Sequence, residues 1–313
     1  MKLSVVTTLF YSERYLQEFY TRVHKAVLKI ADQYEIIFVN DGSPDNASAA
    51  VLKLQLKDPN IVLIDLSRNF GHHQAIFTGL QNAKGDFVFL IDCDLEEDPE
   101  LLDSFWNKIQ EDPLIDVVYG IQAKRKGGVF ERTSGALFYK LLNTLSDFEY
   151  PANTLTARLM KRKYVRAVIS YSEKALDVWA IFVLAGFNQV GLTVQKKSKG
   201  TTTYTFAKKV RRSIEIITSI SHRPLYIIFF IGLAWSLLSA ISLSVILIKK
   251  WLYDVDIEGW TSIMASLWLI GGIIIFLLGV IGIYLSKIFL EIKNRPISII
   301  KTIYEGTDAR RNQ

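Results

Sequence analysis

Asp92-Cys93-Asp94 closes a short apolar run, Phe87–Ile91, and opens the acidic segment Asp92-Cys93-Asp94-Leu95-Glu96-Glu97-Asp98-Pro99. Two carboxylates one residue apart at a strand end offer hard oxygen ligands, few in number, with room for further oxygens. That is the chemistry of a Mg²⁺ or Mn²⁺ site bridging phosphates. Turns are rich in Asp, so the pair alone is a weak signal. It gains weight from other polar clusters that also follow apolar runs. Asn40-Asp41-Gly42-Ser43-Pro44-Asp45 comes after Glu35–Val39, and Ser67-Arg68-Asn69-Phe70-Gly71-His72-His73 comes after Ile61–Leu66. His72 and His73 open a helix, where ordinary surface positions are as good a reading as ligands.

Several chemistries are excluded or disfavoured. There is no Gly-x-x-x-x-Gly-Lys, which argues against a P-loop kinase or ATPase, and no Gly-x-Gly-x-x-Gly after the first strand, which argues against a dinucleotide-binding oxidoreductase. The acids flanking Cys93 disfavour a nucleophilic thiolate. As the lone cysteine it forms no internal disulfide, so nothing points to an oxidising compartment. A net charge of +6 is too mild to argue for nucleic acid. With 18 Gly and 7 Pro in 313 residues, collagen-like and low-complexity classes are excluded.

The elements that must position these clusters alternate along the first 120 residues. β-rich runs at Leu3–Leu9, Glu35–Val39, Ile61–Leu66, Phe87–Ile91 and Val117–Tyr119 are separated by helix-period stretches. Tyr15–Ile30, for example, places Leu16, Phe19, Tyr20, Val23, Val27 and Ile30 on one face. Such alternation predicts an α/β fold, a parallel sheet with helices on both faces, whose ligands gather at the carboxyl ends of the strands. All of the polar clusters sit there.

Half the residues are hydrophobic and the mean hydropathy is +0.21, high for a soluble chain. The excess is concentrated in two uncharged runs, Leu225 to Ile248 and Ile263 to Leu285. Each, as a helix, would extend roughly 35 Å, enough to cross a ~30 Å hydrocarbon core. The short link, Lys249 to Ser262, predicts an antiparallel transmembrane hairpin with both chain ends on one side. Lys208, Lys209, Arg211, Arg212 and Arg223 precede it, and Lys287, Lys293, Arg295 and Lys301 follow it, whereas the link has only Lys249 and Lys250. The positive-inside rule therefore places both termini in the cytoplasm of a multi-pass inner-membrane protein, and the N-terminus reads as having no signal peptide.

The expected organisation is a cytoplasmic catalytic domain over 1–203, an interfacial amphipathic helix over 204–223, the spans within 224–286 and a cytoplasmic tail over 287–313. Ile297 to Tyr304 is expected to form a second interfacial helix. Gly271-Gly272, Gly279 and Gly282 suit close helix packing, within the hairpin or between copies in a homo-oligomer.

Val39-Asn40-Asp41-Gly42-Ser43-x-Asp45, Ser67-Arg68-Asn69-Phe70-Gly71, and Asp92-x-Asp94-Leu95 with Asp98-Pro99 resemble glycosyltransferase family 2. The similarity runs over nearly the whole chain. It is greatest to the polyisoprenyl-phosphate glycosyltransferases, the branch of the dolichyl-phosphate mannose synthases and the bacterial glucosyl carriers that modify O-antigen. Tyr119-Gly120, Ser134 with Phe138-Tyr139, Arg158-Leu159-Met160, Gly186-Phe187 and the paired C-terminal runs add to it.

The resemblance implies a GT-A fold and a metal-dependent inverting transferase. It would move a sugar from a nucleotide-sugar donor, by default a UDP-sugar, to polyisoprenyl (undecaprenyl) phosphate for cell-envelope polysaccharide. Carried over by position, Asp41 would read the nucleobase with Thr8 lining that pocket, and Arg68 would support it. Asp92 would contact the ribose or hold the metal through water, and Asp94 would ligate Mg²⁺ or Mn²⁺. Arg125, Arg132, Arg158 and Arg162 are the expected ligands of the acceptor phosphate.

This chain departs from that pattern at two places. Leu155-Thr156-Ala157-Arg158-Leu159 stands where the branch has Gly-Asp-Phe-Arg-Leu, so Thr156 replaces the acid assigned as catalytic base. A sugar hydroxyl acceptor needs a base, whereas a phosphate monoester, with a second pKa near ~6, is already mostly dianionic. Either the acceptor is its own nucleophile or another acid serves, and Glu173 and Asp177 are the candidates, with helix caps the plainer reading. Lys199-Gly200-Thr201-Thr202-Thr203-Tyr204 stands where the branch has Arg-x-x-Gly-x-Ser-Lys-Tyr, with Lys196, Lys197 and Lys199 as replacements for its cations. Transfer to a hydroxyl of a lipid-linked saccharide stays open, as does a non-catalytic subunit that binds nucleotide sugars.

Overall fold

The computed structural model describes residues 1–122, 143–145, 153–171, 173, 177–195, 217–218, 221–253 and 259–306. Arg125, Arg132, Lys196, Lys197, Lys199 and most of the helix expected at 204–223 lie outside the described residues. The chain divides into two compact units. One comprises Met1–Tyr139, Phe148–Tyr204 and Arg295–Gln313, the other Lys140–Asp147 and Thr205–Asn294.

In the first unit β-branched and aromatic runs form β1 (Lys2–Leu9), β2 (Gln33–Asn40), β3 (Ile61–Leu66) and β4 (Phe87–Leu90). They are joined by α1 (Glu13–Val27), α2 (Ala47–Gln55) and α3 (His72–Asn82). Then come α4 (Leu101–Glu111), β5 (Val117–Gln122), β6 (Thr154–Lys161), α5 (Arg162–Ile169), α6 (Val178–Leu184) and β7 (Gln189–Val194). With β8 (Ile300–Tyr304), the sheet has the order β7-β5-β6-β4-β1-β2-β3-β8. β1 pairs in parallel with β2 and β4, and β2 with β3. β6 is antiparallel to β4 and β5, and β7 is parallel to β5.

The central strands are covered on both faces, which is why β1 is buried along most of its length rather than at alternate residues. One face carries α1, α2 and α4, whose Phe19, Val51 and Phe105 share a core with Val5 and Phe38. On the other face α3, α5 and α6 pack Ile76, Tyr164 and Phe182 with Val6 and Val39. Successive β1 residues thus feed opposite cores, as the two-residue period of a strand demands. Gly79 lets α3 lie close on the sheet, since a Cβ there would stand 2.4 Å from Val6 Cγ1. The chain leaves β1 toward β2 and β3, then crosses back to place β4 on the opposite side of β1. That reversal opens a crevice at the carboxyl ends of β1 and β4.

The helix expected at 297–304 is a strand instead. β8 runs antiparallel to β3, pairing Tyr304 with Leu63, Ile303 with Ile64 and Thr302 with Asp65. The reason lies in composition and in an available edge. Ile299, Ile300, Thr302 and Ile303 are β-branched, and β3 offers an outer edge of unpaired backbone groups. Ser67 N–H donates to the Ile299 carbonyl at 2.9 Å, Thr78 and Ser298 hydroxyls are 2.6 Å apart, and Gln55 Nε2 donates to the Tyr304 carbonyl at 2.8 Å.

The second unit holds α7 (Arg223–Tyr253) and α8 (Trp260–Ile292). Within α8, the most apolar 18 residues of Ser266–Ile292 have a mean hydropathy of 2.5, none of them buried. Among the described residues it is the one helix long and apolar enough to cross a membrane, while α7 carries the shorter apolar stretch Arg223–Ser239. Tyr284, late in α8, donates its hydroxyl to the Ser221 carbonyl just before α7, at 2.9 Å.

Candidate active site

The rim at the carboxyl ends of β1 to β4 is a lattice of side chains gripping backbone. Asn40 ends β2 and spans outward, its Nδ2 donating to Asp65 Oδ1 at 2.6 Å and Ser48 Oγ at 2.8 Å while its Oδ1 accepts from Ser43 N–H at 3.0 Å. Ser43 Oγ accepts from Tyr11 N–H at 2.8 Å and donates to Asp45 Oδ1 at 2.6 Å. Asp45 Oδ2 accepts Glu13 N–H at 2.9 Å, at the start of α1. Burial alone would raise the Asp45 carboxyl, but these bonds outweigh it and hold it below its ordinary range. Much of Asn40-Asp41-Gly42-Ser43-x-Asp45 is therefore construction material for the rim.

Asp41 is 3% exposed, and its oxygens accept Phe70 N–H at 2.7 Å and Gly71 N–H at 2.9 Å. Burial pushes its carboxyl up, against those two bonds and the nearby His72 and Arg68. Asp41 thus ties the 67–71 loop to β2. Arg68 lies over the Phe70 ring, 4.0 Å from the centroid, and donates to the Asn69 carbonyl at 2.8 Å. The two loops touch at Gly42, where φ is +61° and a Cβ would fall 2.5 Å from Asn69 N and 2.6 Å from the Arg68 carbonyl carbon. Gly42→Ala is expected to destabilise the domain by about 2–4 kcal/mol, from left-handed strain plus backbone displacement. Thermal unfolding checks it, and an unchanged midpoint would count against this packing.

Asp92 follows the carboxyl end of β4. Its Oδ2 accepts the Thr156 hydroxyl of β6 at 2.6 Å, and its Oδ1 is 3.5 Å from His72 Nε2. His72 Nδ1 is in turn 3.1 Å from Thr8 Oγ1 on β1. Asp94 Oδ1 accepts Glu96 N–H at 3.0 Å. Between them Leu95 sits at φ +60°, a left-handed conformation costly for a bulky side chain and of the kind concentrated at functional sites. Glu97, 1% exposed, holds the turn there by accepting Thr156 N–H at 3.1 Å and Ala157 N–H at 2.6 Å.

Of the expected acceptor arginines, the structure brings Arg158 to this end of the sheet, opposite Leu90 of β4. It is 3% exposed, its guanidinium 3.6 Å from the Phe182 ring centroid and 5.0 Å from that of Trp179. With Tyr119 and Gln189 it lines a cleft of ≈ 20 Å³, room for about one water. Arg162 is held apart from it. It follows Lys161, which pairs with Phe87 at the opposite end of β4, and its Nη1 donates to the Ala83 carbonyl.

Asp177 caps α6, accepting Trp179 N–H at 3.1 Å and Ala180 N–H at 3.5 Å, with His73 Nδ1 at 3.6 Å. His73 Nδ1 accepts Val178 N–H at 3.1 Å, so its ring proton is assigned to Nε2. Glu173 lies in the segment before α6, outside the described helices and strands.

The sequence pattern of glycosyl transferase family 2 matches residues 4–169, more than half of the chain and the whole of the rim just described. The chain belongs to glycosyltransferase family 2. A Mycobacterium tuberculosis protein named as a glycosyltransferase is 44% identical over 308 residues, covering 98% of this chain and 90% of that one. A prophage-derived bactoprenol glucosyl transferase of Shigella flexneri is 31% identical over 309 residues, covering 98% of this chain and 99% of that one. Among solved structures, a mannosyltransferase from Pyrobaculum calidifontis in complex with GDP-Man and Mn²⁺ aligns with a TM-score of 0.49 at 15% identity, over 93% of this chain and 86% of that one. The mostly parallel sheet with helices on both faces is the architecture expected of a GT-A domain in this family.

The donor set fits a hard divalent ion. Asp92 and Asp94 offer carboxylate oxygens from one turn, and the described residues contain no group of three or more His, Cys, Asp and Glu able to hold a metal. Two carboxylates with the remaining positions left to phosphate oxygens and water is how Mg²⁺ is commonly held. Thr156, Glu97 and His72 are the residues that motif reading undervalues. The sequence singles out Thr156, which stands in place of an acid, and His72, at a helix start, but not Glu97.

Proposed function

We propose that this glycosyltransferase is a membrane-bound inverting enzyme that transfers a sugar from a nucleotide-diphosphate donor, UDP by default, to polyisoprenyl phosphate on the cytoplasmic face. The observation that carries the reading is the two-carboxylate rim at Asp92 and Asp94, with a hydrogen-bond donor at Thr156 where a base would stand. It is supported by the full-length similarity to a bactoprenol glucosyl transferase and by the apolar α8. Two spans, at about 225–248 and 263–285, and cytoplasmic termini agree with the distribution of Lys and Arg.

In this reading an oxygen of the acceptor phosphate attacks the anomeric carbon from the face opposite the donor diphosphate. One carbon–oxygen bond forms as the bond to the leaving phosphate breaks. The acceptor is already ionised, so no side chain must take its proton. Asp92 and Asp94 would hold the Mg²⁺ or Mn²⁺, which neutralises charge on the leaving diphosphate when bound. Thr8 and the 67–71 loop, braced by Asp41, would line the nucleotide pocket, and Arg125, Arg132 and Arg158 would attract the acceptor phosphate. Arg162 has no part in it, and Asp177 serves as a helix cap.

The test is a screen of UDP-, GDP- and dTDP-sugars on detergent-purified protein with Mn²⁺, with and without undecaprenyl phosphate, the lipids read by mass spectrometry. A sugar-phosphate-lipid product is expected. Transfer only to a lipid-linked saccharide would replace the acceptor, and metal-dependent nucleotide binding without turnover on either would replace the enzyme reading.

A further inference from the structure

Thr156 is 7% exposed and fixed at two atoms, with a third bond on its neighbour. Its N–H is held by Glu97 Oε1 at 3.1 Å, its neighbour Ala157 N–H by Glu97 Oε2 at 2.6 Å, and its hydroxyl donates to Asp92 Oδ2 at 2.6 Å. Asp92, just past the end of β4, and Thr156, on β6, lie 64 residues apart and meet because those strands are antiparallel neighbours. The opposite oxygen of Asp92 faces His72 Nε2, and His72 Nδ1 faces Thr8 Oγ1. If Thr8 donates to Nδ1, the ring proton sits on Nε2 and points to Asp92. Asp92 then has the Thr156 donor from β6 on one side and the His72 ring from α3, 3.5 Å away, on the other.

The geometry assigns Thr156 as a positioning residue that orients Asp92, with His72 as the second jaw of the same clamp. The inference rests on the proposed transferase reading and adds to it what position 156 does. A neutral hydroxyl that donates to a carboxylate at 2.6 Å fixes the orientation of that carboxylate. A carboxylate at 156 would face Asp92 across the same gap. Glu97 gives the clamp its rigidity, since the acidic turn that carries Asp92 is itself fastened to the backbone of Thr156 and Ala157. The strained Leu95 in that turn is what such fastening would have to hold in place. Residues that orient metal-binding carboxylates through hydrogen bonds commonly influence affinity or activity by about 10–100-fold.

The wild-type chain is first assayed in the donor–acceptor screen, so a failure of the enzyme reading shows there and not in the variants. Thr156→Val, which keeps shape and removes the donor, is then compared with Thr156→Ser and Thr156→Asp. Two quantities are read: kcat and KM for the donor, and Mn²⁺ affinity by electron paramagnetic resonance with UDP or GDP present, whichever the screen selects. Thr156→Val is expected to lower kcat and Mn²⁺ affinity about 10–100-fold with an unchanged melting temperature, and Thr156→Ser to restore both to within about threefold. Thr156→Asp is expected to fall at least as low as Thr156→Val. Wild-type kcat and Mn²⁺ affinity in Thr156→Val, or a gain of activity in Thr156→Asp, would overturn the assignment. Should Thr156→Val fail to fold, His72→Phe against His72→Gln tests the clamp from its more exposed side. Loss in both readouts with Phe and partial recovery with Gln is expected, and no loss with Phe overturns it.

Discussion

Asp94→Asn is expected to abolish sugar transfer, by about 10³-fold or more, and to leave the fold intact. The two halves of that expectation come from different atoms. Asp94 Oδ1 accepts Glu96 N–H at 3.0 Å, a bond the Asn carbonyl oxygen can keep, so the turn holding Leu95 at φ +60° retains its local support. The carboxylate charge cannot be kept. In the proposed reaction two negative groups, the diphosphate and the acceptor phosphate, meet a rim whose cation must be held by Asp92 and Asp94. Loss of one hard anionic oxygen weakens that hold. Asp92→Asn is a less clean experiment, because it also turns an acceptor toward or away from Thr156 and His72. Chelation of divalent ions should reproduce the Asp94→Asn result in the wild-type chain, with recovery on adding Mn²⁺. Full turnover in Asp94→Asn, with the melting temperature unchanged, would remove Asp94 from the metal site and with it the strongest motif in the chain.

What could be read from the amino-acid sequence was local. The runs at Ile61–Leu66 and Phe87–Ile91 became β3 and β4 almost to the residue, because buried parallel strands are short apolar stretches bounded by turn chemistry. The polar clusters stood at the carboxyl ends of those strands, so the rim was legible as a place. Its wiring was not. Asp92 with Thr156, Glu97 with Ala157 and His73 with Val178 are joined across 64, 60 and 105 residues, and each pairing exists only after strands have ordered non-sequentially. For the same reason Asp41 looked like a ligand reader and is also a brace, and Arg158 and Arg162 looked like partners although β6 carries them to opposite ends of β4. The three strand steps from Arg158 to Lys161 alone span roughly 10 Å. The helix-like reading of 297–304 failed because a cation set among isoleucines also suits an edge strand, and only the presence of the β3 edge decides between them.

That edge strand carries the second large effect. Ending the chain at Asn294, which removes β8 while retaining α7 and α8, is expected to destabilise the catalytic domain by about 3 kcal/mol or more. For a domain of this size that is a fall in melting temperature of about 6–12 °C. The loss is not confined to five paired residues. Tyr304 packs against one face of the core and Ile297 against the other, so β8 and its approach seal both layers where β3 would otherwise end the sheet. Gln55, 4% exposed, would lose the Tyr304 carbonyl it donates to, and Lys84 would lose Glu305 at 3.0 Å. An exposed β3 edge also invites pairing between chains, so aggregation should accompany the melting shift. A functional consequence follows from the bond between Ser67 N–H and the Ile299 carbonyl. Ser67 begins the loop that Asp41 anchors at Phe70 and Gly71, so removing β8 frees one end of the loop proposed to line the nucleotide pocket. The donor KM should rise before kcat falls, and hydrogen exchange should accelerate over 61–71. A chain ended at Gly306, which keeps β8, should match the full-length protein in all three measurements. If the chain ended at Asn294 melts and exchanges like that control, the strand that follows α8 is an ornament on the sheet, and the loop before α3 is held by Asp41 alone.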